Sequence, residues 1–115
     1  MLRTVLKQLS EHRSVGNSTS LITMYIPGST RVSEINHLVT DELSKASNIK
    51  SRQTRQGVQS GLTSISAHLK DISKFPEFGL ILFSGKTEYK SVFEMIEPPR
   101  AVDRFLYRCD SQFYI

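Results

Sequence analysis

Hydrophobic residues recur with a helical period in two neighbouring segments of the chain. The first stripe consists of Val32, Ile35, Val39 and Leu43, and the second of Val58, Leu62, Ile65, Leu69 and Ile72. The second stripe predicts a helix from about Ser51 to Asp71, and the first predicts a helix that Ser29 or Thr30 can N-cap. Because their connection is short, the two helices are expected to form an antiparallel hairpin with its tip at Ser47–Ser51.

Four further segments show the alternation or the continuous apolar character of β-strands. Residues 21–26 alternate, and the unbroken apolar run at 79–84 is suited to a central strand covered on both faces. A turn is predicted at Gly85-Lys86, with a partner strand at 89–96. The alternation at 105–109 predicts the last strand.

The order of these elements predicts an α+β domain. Residues near 2–13 form a short amphipathic helix by pattern, so we expect an antiparallel sheet of about four strands, flanking helices and a protruding helical hairpin. The length of 115 residues favours a single domain over 1–115. Gly57 and Gly61 lie inside the second hairpin helix, where glycine is unfavourable, which indicates either a close helix approach or mobility.

Charge is unevenly distributed along the chain, although the net charge is only +4. Residues 43–70 contain no acidic side chain but five lysines and arginines. Such a stretch favours a polyanionic partner, nucleic acid first, and the alternative is an ordinary solvated helix face. No apolar run is long enough for a membrane span and no secretory signal is evident, so no membrane partner is predicted. The single cysteine, Cys109, fits a reducing, cytoplasmic location.

Catalytic patterns are poor in this sequence. His12, His37 and His68 lie on three different predicted helices without metal-ligand spacing, and ordinary surface histidines explain them. No glycine-rich phosphate loop is present, and Cys109 alone cannot build a metal site. We therefore predict no enzyme activity, no metal and no cofactor.

The predicted hairpin tip concentrates polar chemistry on one turn. It brings together an amide, two hydroxyls and an ammonium group around Ile49, which is predicted to be an apolar tip. An asparagine amide both donates and accepts, and a lysine supplies a point charge for phosphate or a carbonyl. The tip is therefore a candidate interaction loop.

Four motifs resemble those of the eukaryotic and archaeal class-1 translation termination factors. Asn48-Ile49-Lys50-Ser51 is similar to their NIKS motif, and the segment 107–113 to their YxCxxxF motif. Asn17-Ser18-Thr19-Ser20 resembles their GTS loop, and Asp41-Glu42 lies where that family has an acidic pair. The resemblance covers nearly the whole chain and concerns the N-terminal domain. The Gly-Gly-Gln motif of the hydrolytic domain is absent, as is the domain that binds the partner GTPase.

The resemblance implies a decoding module that recognises a messenger RNA stop codon in the ribosomal A site, beside small-subunit ribosomal RNA. Asn48 and Lys50 would contact the first uridine; Glu42, Tyr107 and Cys109 would help to recognise the purines; Thr19 would contact the third position. The full set of implied RNA-binding residues is Thr19, Ser20, Glu42, Ser47, Asn48, Ile49, Lys50, Ser51, Arg52, Arg55, Tyr107, Cys109 and Phe113. Other partners would be the remaining domains of the factor in cis and, through them, the class-2 GTPase.

Two positions depart from the family pattern and bear on which stop codons are accepted. Lys45 stands where the family usually has threonine, and Ser18 replaces the glycine of the GTS loop. Because changes near these positions accompany altered codon sets, we expect Lys45 to bias codon choice. The alternative function is a stand-alone ribosomal A-site binder that inhibits termination.

Overall fold

A four-stranded antiparallel sheet lies between two helical layers in the computed structural model, which describes residues 2–115. The strands are β1 (Leu21–Ile26), β2 (Leu80–Lys86), β3 (Ser91–Ile96) and β4 (Leu106–Asp110). The helices are α1 (Leu2–Glu11), α2 (Val32–Ala46) and α3 (Arg52–Leu69), with one 3-10 turn at Val15–Asn17. The α+β prediction is confirmed.

The strand order β3-β2-β1-β4 places β1 and β2 at the centre of the sheet. Because successive side chains of a strand point to opposite faces of the sheet, alternate residues of β1 belong to two separate hydrophobic cores. Ile22, Met24 and Ile26 pack beneath the α2–α3 hairpin, whereas Leu21 packs on the opposite face with Leu9 of α1. Both faces of β2 are covered, as its apolar run predicts. Among residues 2–115, no helix is both long enough and apolar enough to span a membrane.

Two predicted local features are wrong. Neither Ser29 nor Thr30 caps α2, because the Thr30 amide instead donates to Pro27 O in a turn and the N-cap is Arg31, without a side-chain cap. Gly85-Lys86 is not a turn, since both residues continue β2 in pairing with β3. The chain reverses after them, where the Thr87 amide donates to Lys90 O at 2.9 Å.

Helix α3 lies unusually close to the sheet at its two glycines. A methyl group at Gly57 would lie 2.7 Å from Ser20 Cβ, and one at Gly61 would lie 2.9 Å from Ile22 Cδ1. The hydroxyl of Ser84 on β2 donates to Gly61 O at 2.9 Å, which joins the helix to the sheet. Close approach, rather than mobility, thus accounts for both glycines.

We predict that Gly57→Ala destabilises the fold although alanine is the better helix former. The higher helix propensity of alanine favours the variant by about 1 kcal/mol. However, the new methyl group would overlap Ser20 Cβ, which cannot move unless its backbone moves. Such overpacking typically costs about 1–3 kcal/mol, which outweighs the gain. Chemical denaturation should show a lower free energy of unfolding. Thr63→Ala, on the exposed face of the same helix, is the control and should be neutral or stabilising. Equal or greater stability of Gly57→Ala would contradict the steric argument.

Candidate functional site

The tip between α2 and α3 is a short, hydrogen-bonded turn. Helix α2 ends as the amides of Asn48 and Ile49 donate to Lys45 O and Ala46 O, both at 3.1 Å. Helix α3 begins at the N-cap Ser51, whose hydroxyl accepts from the Thr54 amide at 3.3 Å. The tip at residues 47–51 was correctly predicted from the break between the two apolar stripes.

Ile49 does not form the exposed apolar tip predicted from the sequence. Its side chain is half-buried and packs against the core beneath the hairpin. The Arg55 guanidinium, one turn into α3, donates to Ile49 O at 3.0 Å. This hydrogen bond stabilises the loop with the Ile49 side chain turned inward. Because Ile49 points inward, its neighbours Asn48 and Lys50 are exposed to solvent.

A groove of about 350 Å³ opens beside the tip, and we call it the tip groove. The loop before β1, the C-terminal part of α2, the first turns of α3 and strand β4 each contribute to its walls. It is lined by Thr19, Glu42, Lys45, Ala46, Ile49, Thr54, Val58, Tyr107 and Cys109. Five residues that were predicted from four separate motifs thus meet here: Thr19, Glu42, Ile49, Tyr107 and Cys109.

Strand pairing directs Tyr107 and Cys109 into this groove. They lie opposite Met24 and Ile22 on β1, whose side chains face the hairpin. The Cys109 thiol donates to the Tyr107 hydroxyl oxygen at 3.2 Å, so the phenolic proton is free to donate to a ligand. Burial raises the pKa of Tyr107 well above its usual range, so this hydroxyl keeps its proton.

Glu42, which lines the tip groove, has the cationic Lys45 as a neighbour. Lys45 Nζ lies 3.7 Å from Glu42 Oε2, one turn away on α2. The Lys45 side chain is 76% exposed and that of Glu42 only 23% exposed. The carboxylate therefore faces the groove while the ammonium remains in solvent at the rim, where it weakens the negative potential of Glu42.

Two predicted RNA-binding residues lie in the interior instead. Ser20 is buried at the contact with Gly57, where its hydroxyl is 2.9 Å from that of Ser18. Phe113 packs edge-on against Phe83 in the core on the α1 face, away from the groove. Ser47, Ser51 and Arg52 are exposed around the tip, as predicted.

Thr54 and Val58 line the groove but were missed as site residues. They lie one turn apart on α3, immediately after the tip, and this spacing could have indicated that they share its face. The structure shows no group of three or more histidine, cysteine or acidic side chains placed to hold a metal ion anywhere in residues 2–115.

Comparison with known proteins gives consistent matches over this fold. The family model described as eRF1 domain 1 matches residues 1–115. The chain is 44% identical to peptide chain release factor subunit 1 of Methanopyrus kandleri over 98% of its own length, and 40% identical to that of Archaeoglobus fulgidus over 96%. It spans 28% of the length of each. A crystal structure of an archaeal translation termination factor, aRF1, superposes with a TM-score of 0.90 at 33% identity, covering 98% of this chain and 31% of that one.

We predict that Cys109 reacts slowly with iodoacetamide at pH 8. Burial raises the pKa of its thiol, with Glu42 adding to the effect, so little of the reactive thiolate forms. Alkylation followed by mass spectrometry should be slower in the folded chain than in the chain unfolded in urea. A Cys109→Ser, Thr63→Cys variant supplies an exposed reference thiol, and equal rates for the two folded proteins would contradict the prediction.

Proposed function

Because the chain belongs to the eRF1 domain 1 family, we propose that it is the stop-codon-recognition module of a translation termination factor. In this proposal it binds a stop codon of messenger RNA in the ribosomal A site and is not itself catalytic. One observation supports this assignment above the others. The tip groove collects hydrogen-bonding groups from four chain segments directly beside the exposed Asn48 and Lys50.

The chemistry of the tip groove suits unpaired purines. The Glu42 carboxylate accepts from an exocyclic amino group, and the Tyr107 hydroxyl donates to a ring nitrogen or carbonyl. Ile49 and Val58 add apolar walls against which a base can pack. A base that leaves the half-buried Tyr107 or Glu42 without a partner is rejected, because an unsatisfied polar group costs more than a missing apolar contact.

The exposed tip is suited to the first uridine. The Asn48 amide offers a donor and an acceptor to the edge of the base, and the Lys50 ammonium offers a point charge to a carbonyl or phosphate. Arg52 extends the positive charge along the ribosomal RNA. Arg55 acts as a positioning residue, since its guanidinium is already engaged with Ile49 O.

Peptide release and the binding of a class-2 GTPase are assigned in this proposal to other domains of the factor. The chain spans less than a third of the curated release factors that it matches. We accordingly propose cis contacts with those domains and action on cytoplasmic ribosomes.

The proposed function is tested by replacing domain 1 of the Methanopyrus kandleri release factor with this chain and measuring peptide release in a reconstituted system. The chimera should release peptide on stop codons, and Lys50→Ala should slow release about tenfold, since a hydrogen bond to a charged group is worth about 1.5–3 kcal/mol. Lys70→Ala, the same charge change at the other end of α3, is the control. Full activity of Lys50→Ala would argue against the tip as a recognition element.

Lys45 supports a second, finer prediction about codon choice. The Glu42 carboxylate favours adenine, which carries an amino group where guanine carries a carbonyl oxygen, and the Lys45 ammonium reduces this preference. In the chimera, Lys45→Thr should therefore raise release on UAA relative to UAG and UGA, by up to about fivefold given the strength of exposed ion pairs. Lys74→Thr, distant along the chain, should leave the codon profile unchanged. An unchanged profile for Lys45→Thr would remove this residue from codon choice.

A further inference from the structure

A second groove, of about 410 Å³, lies beside the tip groove. The loop before β1 and helix α3 line both grooves. Together with the β2–β3 turn they form the walls of this second groove, and we call it the amide groove. Its lining residues are Val15, Ser18, Ser20, Gln53, Gln56, Gly57, Ser60, Lys86, Thr87 and Glu88. Of these residues, only Ser18 and Ser20 belong to the motifs on which the proposed function depends.

We propose that the amide groove binds one unpaired ribonucleotide that adjoins the codon recognised in the tip groove. This inference rests on the proposed function, because it takes the codon to lie in the tip groove. The nucleotide comes either from the messenger RNA beside the stop codon or from an unstacked base of the small-subunit ribosomal RNA.

The side chains of the amide groove match the edge of a base. Gln53 and Gln56 lie one turn apart on α3, and each has an exposed side-chain amide that carries both a donor and an acceptor. Ser60, a further turn along, adds a hydroxyl. The Lys86 ammonium at the rim is suited to the phosphate of the same nucleotide.

Hydrogen bonds within the chain hold the floor of the amide groove in place. Four of the chain's buried polar residues, Ser14, Ser18, Ser20 and Thr87, lie in or beneath it. The Ser14 hydroxyl donates to Ser18 O, and Ser14 also pairs with Thr87 in an isolated β-bridge. Thr87 Oγ1 accepts from the amides of Tyr89 and Lys90. A site that is already ordered loses little entropy when it binds.

The two grooves are neighbours along a path that a single strand can follow. Thr19 lines the tip groove, whereas Ser18 and Ser20 on either side of it line the amide groove. On α3, Thr54 and Val58 face the tip groove, whereas Gln53 and Gly57 face the amide groove. At Gly57, helix α3 packs directly against Ser20, which also lines the amide groove.

Site-specific photocrosslinking in the chimeric factor tests the proposal. With p-benzoyl-phenylalanine in place of Gln56, irradiation of the termination complex should join the protein to RNA. Sequencing of the crosslinked RNA then separates the two sources, a messenger nucleotide flanking the stop codon or a ribosomal RNA base. The same probe in place of Thr54 reports on the tip groove. RNA captured from position 54 but not from position 56 would overturn the amide groove alone, whereas capture from neither position would overturn the proposed function.

Substitution provides an independent measurement. Release by the Gln53→Ala, Gln56→Ala variant should weaken severalfold, with the choice among the three stop codons unchanged. If the nucleotide comes from the messenger, the effect should depend on the base that flanks the codon. Gln59→Ala, the same change on the same helix outside both grooves, is the matched control. A double variant that matches the Gln59→Ala control on every flanking base would contradict the proposal.

Discussion

The approach of α3 to the sheet at Gly57 and Gly61 is the constraint on which the rest of the molecule depends. At this separation no side chain fits between the helix and the residues below, Ser20 and Ile22. The hydrogen bond from Ser84 to Gly61 O then fixes the height of the helix above β2. This close approach brings α3 against the loop before β1, and the two grooves lie on either side of that contact.

The secondary structure was largely predictable because each element has one dominant period. The α2–α3 hairpin follows from two apolar stripes with a break between them at residues 47–51, and the central place of β2 follows from its unbroken apolar run. The errors occurred where local residue preferences compete with pairing. Gly85 and Lys86 have the composition of a turn, but pairing with Val92 and Ser91 extends β2 through them, and Thr87 closes the turn instead.

The candidate site was predictable as a set of residues but not as a surface. The motifs named Glu42, Tyr107 and Cys109, but the packing of α2 over β4 that brings them to one groove became evident only in three dimensions. Phe113 shows the limit of a motif, because it belongs to the same pattern as Tyr107 yet packs in the opposite core. The amide groove left no pattern in the sequence, since its residues come from three elements and include common, exposed glutamines.

The inward turn of Ile49, held by Arg55, has a kinetic consequence. A loop anchored at its centre by an apolar side chain and by a guanidinium on its carbonyl has few conformations to lose when a ligand arrives. In the proposed function, encounter with RNA then requires no slow ordering step, and correct and incorrect codons are expected to associate at similar rates. Stop codons and other codons are then expected to differ mainly in their dissociation rates, with an imperfect ligand leaving sooner.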